Sequence, residues 1–188
     1  MLIRTSKGFS LIELIIALAI MAVLLVLAVP SFKAYLANTR LRTVAEGFVS
    51  SMQSAKAAAA ARNQPVELIL TNSTAPADLA TAVGTSPAAG WMVRTADQTV
   101  YIDGKNPSEG ASGGVASTSI AGTVPGVTFT ALGGTTLAAT ATFAVTDAVG
   151  GACAPAGPMR CLNISVTSTG RVKMCDPATV APDTRACN

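Results

Sequence analysis

One apolar segment at the N-terminus constrains this chain more than any other feature. Between Lys7 and Lys33 the only charged side chain is Glu13. As a helix, the 25 residues between these lysines would be roughly 37 Å long, enough to cross a bilayer core of about 30 Å. The segment exceeds the about 7–15 apolar residues of a cleaved secretory signal, and no A-x-A site follows it. It therefore predicts a retained membrane helix over residues 9–30, with Arg4 and Lys7 on the cytoplasmic side.

An amphipathic helical pattern continues beyond Pro30, over residues 31–62. Its apolar residues recur at spacings of three and four: Leu41, Val44, Phe48, Met52, Ala55 and Ala59. Asn63 and Pro65 are expected to end this helix. One long helix from about residue 9 to 62 follows, with a kink at Pro30 because proline removes a backbone hydrogen bond.

Residues 65–188 change to the pattern of short strands. Residues 66–70 are apolar, and residues 90–103 are typical of a hairpin. Apolar and small polar residues alternate in three further segments, 126–132, 141–147 and 161–175. The stretches 71–89 and 104–126 are rich in Ala, Thr, Ser, Gly and Pro and are expected to be loops or ragged edges. The predicted fold is α+β: a long N-terminal helix packed on an antiparallel β-sheet, with Trp91 in the core.

Four cysteines lie in the last 36 residues, at positions 153, 161, 175 and 187. The chain has no histidine and no C-x-x-C motif, so we expect no metal site and no other cofactor. Two disulfides in an oxidising compartment are the better interpretation. The neighbour pairing Cys153–Cys161 and Cys175–Cys187 is one of three possible connectivities.

Charge is unevenly distributed along the part that follows the apolar segment. Residues 31–62 carry five basic residues against one acid, and residues 151–188 carry four against two. Residues 63–150 carry two basic residues against six acids. Both ends are therefore basic and the middle is acidic. Without histidine or acids clustered near a nucleophile, we expect no enzymatic activity.

The N-terminal residues KGFSLIELIIALAIMAVLLVLAVP resemble a type IV prepilin. A short basic leader ends in Gly8, Phe9 follows, and an acid stands five residues into the mature chain. The resemblance implies that a prepilin peptidase removes residues 1–8 and that the new amine of Phe9 is methylated. It also implies assembly with other major and minor pilins, after residence in the bacterial inner membrane with residues 31–188 in the periplasm.

A carboxylate in hydrocarbon is costly, by about 2.5–3.5 kcal/mol on insertion scales, so Glu13 is expected to be functional. It lies four residues from Phe9 on one helix face and could pair with its own amine. In a fibre it could instead meet the amine of a neighbouring subunit, which the resemblance favours. The remaining alternative is that Glu13 only reaches to the membrane interface.

The part of the chain after the apolar segment resembles the GspH/FimT/FimU group of minor pilins. The resemblance lies in GWMVRTADQTVYID, the four C-terminal cysteines and STGRVKMCDP. The first implied function is structural: a minor subunit that helps to initiate or cap a pilus. The second is DNA capture, because FimT-like members use a C-terminal G-R-x-R motif and this chain has Gly170-Arg171-Val172-Lys173. We expect Arg171 and Lys173 to be exposed on one side of a strand, with Arg160 and Arg185 extending a patch for double-stranded DNA. The alternative is that these four charges only keep a solvated strand edge soluble. A third alternative is the H-type minor pseudopilin of a type II secretion system.

Overall fold

A long helix begins the part of the chain that the computed structural model describes, residues 10–109 and 117–187. Helix α1 spans Leu11–Arg62. Asn63 then adopts a left-handed φ of 50°, and the N–H of Gln64 donates to the carbonyl of Ala59. This is a common way to end a helix, and it confirms the end predicted from Asn63 and Pro65. The predicted leader and Phe9 lie outside the described residues.

The chain divides into two units, Met1–Leu36 and Ala37–Asn188. In the second unit, α1 buries one face completely. The buried residues on that face are Ala37, Leu41, Ala45, Phe48, Met52, Ala55 and Ala59. The predicted spacing of apolar residues is confirmed, with Val44 half-buried beside the core.

Eight strands follow the helix within the described residues, and all their pairings are antiparallel. They are β1 (Val66–Thr71), β2 (Gly90–Thr95), β3 (Tyr101–Lys105), β4 (Thr118–Gly122), β5 (Gly126–Phe129), β6 (Ala141–Asp147), β7 (Leu162–Val166) and β8 (Val172–Cys175). The single predicted sheet is in fact two four-stranded sheets, ordered β3-β2-β1-β5 and β4-β6-β7-β8. The hairpin predicted over residues 90–103 is confirmed as β2–β3.

Residues 104–126, predicted as loops or ragged edges, contain the edge strand β4. This strand pairs with β6, and Ile120 lies opposite Val145 with both side chains fully buried. The segment looks like a loop because Gly, Ser, Thr and Ala dominate its composition. Its strand conformation comes from the β6 ladder, which supplies hydrogen-bond partners and an apolar surface for Ile120.

Phe48 joins the helix to both sheets in one hydrophobic core. Its ring centroid lies 5.2 Å from that of Trp91 on β2 and 5.3 Å from that of Phe143 on β6, both in edge-to-face geometry. Such pairs add to the stabilisation that comes from burying apolar area. Trp91 is buried, as predicted from the sequence.

Candidate functional site

The apolar side chains of the N-terminal unit are exposed. Leu11 is 77% exposed, and Leu18 and Leu25 are each 57% exposed. No described side chain between Ser10 and Leu36 is buried. Glu13 lies in the first turn of α1 and is the only charged residue before Lys33 in this unit's described part. A helix with this surface needs apolar surroundings from lipid or from other helices.

Two helical stretches of the described chain could cross a membrane only if they are taken together. No single helix among the described residues is long and apolar enough to cross a membrane. The bent pair Leu11–Val26 and Ser31–Arg62, taken together, has the length and the apolar composition to cross one. The break between them includes Pro30, where the kink is predicted. Gly8 and Phe9 lie outside the described residues, so cleavage and methylation stay predictions.

The four candidate DNA-binding residues do not form one patch. Arg171 follows the turn at residues 167–170, whereas Arg160 lies beyond the other end of the β7–β8 hairpin. There the backbone N–H of Arg160 donates to the side chain of Asn38 at 2.7 Å. A five-residue strand such as β7 spans roughly 17 Å, so the two arginines are separated by about that length.

Two of these four residues are held by nearby partners. Lys173 is half-buried, and its Nζ donates to the carbonyl of Ala186 at 2.9 Å. The prediction that Lys173 is exposed is therefore wrong, because the C-terminal loop folds back along β8. Arg185 is exposed but forms an ion pair with Asp183, with Nη2 and Oδ2 2.7 Å apart. Hydrogen bonds from the side chain and backbone of Arg185 lower the pKa of Asp183 to about 2.

Arg171 is the exposed member that forms no ion pair among the described residues and follows a residue contacted by a lysine. Lys56 on α1 donates from Nζ to the carbonyl of Gly170 at 3.0 Å, next to Arg171. Neither Lys56 nor Arg171 forms an ion pair with any residue in 10–109 or 117–187. The candidate basic site is thus smaller than predicted and is located at this turn.

The cysteines form two disulfides, Cys153–Cys161 and Cys175–Cys187. This confirms the neighbour pairing, one of the three connectivities that the sequence allows. The second bridge joins the end of β8 to the last described residue. It closes the loop that brings the backbone carbonyl of Ala186 to Lys173. The C-terminal loop therefore restricts the surface on which Lys173 was expected to act.

An ion pair between buried Arg94 and half-buried Glu67 in the first sheet is not predicted from the sequence. Glu67 and Arg94 lie opposite each other on β1 and β2, with Oε1 and Nε 2.6 Å apart. Arg94 also donates through Nη1 to the carbonyl of Leu79, and its side chain is only 4% exposed. The pair lines a cleft of about 440 Å³, with Thr128 and Val83 among the other lining residues. The bond to Leu79 anchors the 72–89 loop to the sheet.

The sequence signal for this pair was weak. Opposite charges in two neighbouring strands can face each other only if the register aligns them, and register cannot be inferred from either strand alone.

In the described part of the chain, no group of three or more His, Cys, Asp or Glu side chains could hold a metal ion.

Comparison with known proteins identifies the family. Residues 3–29 match the prokaryotic N-terminal methylation motif, and residues 44–170 match the model of the type II transport protein GspH. No curated protein matches the chain by sequence. The second match covers about two thirds of the chain and ends immediately before Arg171.

Two crystal structures of the type IV minor pilin FimU from Pseudomonas aeruginosa have a similar fold. The first aligns with a TM-score of 0.54 at 17% identity and covers 80% of this chain and 96% of FimU. The second aligns with a TM-score of 0.50 at 15% identity and covers 78% and 99%. The fold is therefore that of a pilin. The chain belongs to the GspH family, as a minor pilin or pseudopilin of the GspH and FimU type.

Proposed function

We propose that this protein is a minor type IV pilin that helps to initiate or cap a pilus fibre. The observation that carries the proposal is the N-terminal unit, an exposed apolar helix with one carboxylate, Glu13, in its first turn. This surface suits a segment that resides in the membrane and then packs among other helices. The globular unit has its own core, so it can be carried on the outside of such an assembly.

Glu13 is proposed to direct assembly through its charge. Cleavage after Gly8 would create a cationic amine on Phe9, and an amine and a carboxylate in apolar surroundings stabilise each other strongly. Pairing between subunits would set their relative position along the fibre. In the membrane before assembly, residues 31–188 would lie in the periplasm and Arg4 and Lys7 in the cytoplasm.

The test combines deletion of the chain with a change of one side chain. We expect deletion to reduce the number of fibres per cell, counted by electron microscopy. Glu13→Gln keeps the size of the side chain but removes its charge, and it should reduce fibre number as strongly as deletion. Lys33→Gln is the matched control, because it removes a charge from the same unit outside the apolar segment. Normal fibre numbers in both the deletion strain and Glu13→Gln would refute the proposal.

The H-type pseudopilin of a type II secretion system is the second candidate. The match of residues 44–170 to the type II transport protein GspH favours it. The two functions differ in what deletion abolishes. A pseudopilin mutant loses exported proteins from the culture medium and keeps its surface fibres, whereas a pilus mutant loses the fibres.

A DNA receptor is the third candidate, supported by exposed Arg171 at Gly170-Arg171-Val172-Lys173. The engaged Lys173 and the distant Arg160 reduce the surface available for phosphate. A gel shift with duplex DNA and the full chain in detergent tests it. A receptor should bind every sequence about equally, at about micromolar concentrations or weaker, and Arg171→Ala should lower the salt slope by about one unit.

A further inference from the structure

We propose that two adjoining turns form a docking platform for an acidic surface of a neighbouring pilin-like subunit. The platform consists of residues 130–134 and 167–171 together with Lys56. It rests on the proposed function, since it assigns one of the contacts that a fibre subunit must make. The apolar helix and Glu13 play no part in the argument for it.

Each turn is closed by its own backbone hydrogen bonds. The N–H of Gly133 donates to Thr130 at 2.9 Å, and the N–H of Gly170 donates to Thr167 at 2.9 Å. Gly133 and Gly170 adopt left-handed φ values of 82° and 75°, which favour glycine over any residue with a side chain. The sequence therefore specifies both turns strongly.

The two turns pack back to back. A Cβ atom at Gly170 would collide with the carbonyl oxygen of Gly133, so glycine is also needed for this close approach. Thr135 extends the contact, because its N–H donates to Ser168 at 2.8 Å and its hydroxyl donates to Thr167 at 3.1 Å. The platform is thus a hydrogen-bonded unit that can present side chains without a large loss of conformational freedom on binding.

The platform is positively charged and contains no acid. Lys56 reaches it from α1 and donates to the carbonyl of Gly170 at 3.0 Å. Arg171 is exposed at the end of the second turn. The turn sequences TALGG and TSTGR include no Asp or Glu. Lys56 contacts the residue that precedes Arg171, so both cations belong to one turn, and such a site attracts an anionic partner.

Leu132 gives the platform an apolar anchor. It is 98% exposed at the tip of the first turn, next to Gly133. A lone exposed leucine is ordinary on a protein surface, so its setting matters more than its exposure. An apolar side chain on a rigid turn, with cations beside it, has the layout of a protein interface: an anchor that enters a pocket and a charged rim.

These features favour a protein partner over DNA. A leucine adds nothing to phosphate binding, and two cations release few counterions. The partner chemistry is an acidic surface with an apolar pocket. Asp97 and Glu109 are exposed in this chain, so a domain of this kind can carry acids on its surface.

The first experiment counts fibres made by cells that carry single substitutions in the full chain. Leu132→Ser and Arg171→Glu should each reduce fibre number, with normal protein level and processing. Their matched controls are Val180→Ser, at another apolar residue that is 78% exposed, and Arg160→Glu, at the opposite end of the β7–β8 hairpin. All four side chains are exposed, so the fold should be retained, and an unchanged melting temperature checks this.

The second experiment identifies the contact. The photoreactive side chain p-benzoylphenylalanine replaces Leu132 in the full chain, and in a control strain it replaces Val180. Irradiation of fibre-forming cells should link position 132 to a subunit that bears a prepilin N-terminus, at an acid-rich segment. Adding Arg171→Glu should lower this product about tenfold, the effect of losing one good interface residue.

The outcomes separate this proposal from the proposed function. If Glu13→Gln reduces fibre number but Leu132→Ser and Arg171→Glu do not, the platform is refuted and the fibre role stands. If deletion and Glu13→Gln leave the fibres unchanged, the fibre role itself fails. If Arg171→Glu abolishes the DNA gel shift, Leu132→Ser leaves fibre number unchanged and the photoreactive side chain at position 132 links to no subunit, the platform binds nucleic acid and the protein-docking proposal is overturned.

Discussion

The two halves of helix α1 have similar local structure and opposite surroundings. From Leu11 to Leu36 every described large apolar side chain is exposed, whereas from Ala37 to Arg62 a full apolar face is buried. The first half is apolar on all sides and the second on one side only. Helix formation is therefore common to both halves, and the distribution of apolar residues determines what each half must contact.

This difference predicts where a substitution should take effect. Side chains of the second half stabilise the globular unit, because they pack with both sheets in one core. Side chains of the first half have no such core within the described chain. Their contribution must come from surroundings outside the chain, so their substitution should change insertion or assembly and leave the unfolding of the globular unit unchanged.

The largest effect should come from reducing the two disulfides, which are confined to the globular unit. Their loops have sequence separations of 8 and 12 residues, so each bridge should contribute about 2.5–3 kcal/mol by restricting the unfolded chain. Reduction should lower the free energy of unfolding by about 5 kcal/mol in sum, a large share of a typical total. Urea unfolding followed by the fluorescence of Trp91, with and without dithiothreitol, measures it.

Two paired substitutions divide this effect between the bridges. Cys153→Ser with Cys161→Ser, and Cys175→Ser with Cys187→Ser, should each account for about half. The half of α1 before Leu36 contains no cysteine, so its helicity in detergent should not respond to reduction. An unchanged urea midpoint after reduction would show that the bridges do not stabilise the globular unit.

The next effect tests the two halves of α1 directly. Phe48→Ala removes a fully buried ring between Trp91 and Phe143, and it should lower the free energy of unfolding by about 3–5 kcal/mol. Leu24→Ala is the matched change in the first half, where the side chain is 60% exposed. In the full chain in detergent, Leu24→Ala should leave the urea midpoint unchanged. Equal shifts from both variants would contradict the comparison.

The same comparison explains how much of the fold the sequence predicts. The helix, its end at Asn63 and its buried face follow from local spacing, which needs no knowledge of the partners. β4 and the division into two sheets do not, because Ile120 becomes a strand residue only through its pairing with β6. Local composition carries no information about which strands become neighbours.

The candidate functional residues also differ in how much of their role the local sequence predicts. The features of the N-terminal unit, above all Glu13 among apolar residues, are visible in one short segment. The surroundings of Lys173 and Arg94 depend on residues that are distant in the sequence, Ala186 and Glu67. A basic residue near the C-terminus could thus be recognised, but whether its charge faces solvent or a neighbouring carbonyl could not.

The smallest effect concerns an exposed part of the globular unit, the loop closed by Cys175–Cys187. If exposure decides the energetic effect, the ion pair of Asp183 and Arg185 should matter little to stability although it strongly affects titration. Hydrogen bonds from Arg185 lower the pKa of Asp183 from its ordinary value of 3.8 to about 2. Since the folded pKa is the lower one, any stabilisation is complete above pH 3.8 and is lost as pH falls towards 2.

Carbon-detected NMR titration of the Asp183 carboxyl group measures this pKa in the folded protein. Arg185→Gln should return the pKa of Asp183 towards 3.8, because the charged donor is lost. Arg171→Gln is the matched control and should leave it in place, since Arg171 forms no ion pair within the described residues. The urea midpoint at neutral pH should stay within error for both variants. A clear fall in the urea midpoint for Arg185→Gln alone would mean that the exposed loop stabilises the core. In that case exposure would not separate structural residues from assembly residues in this chain.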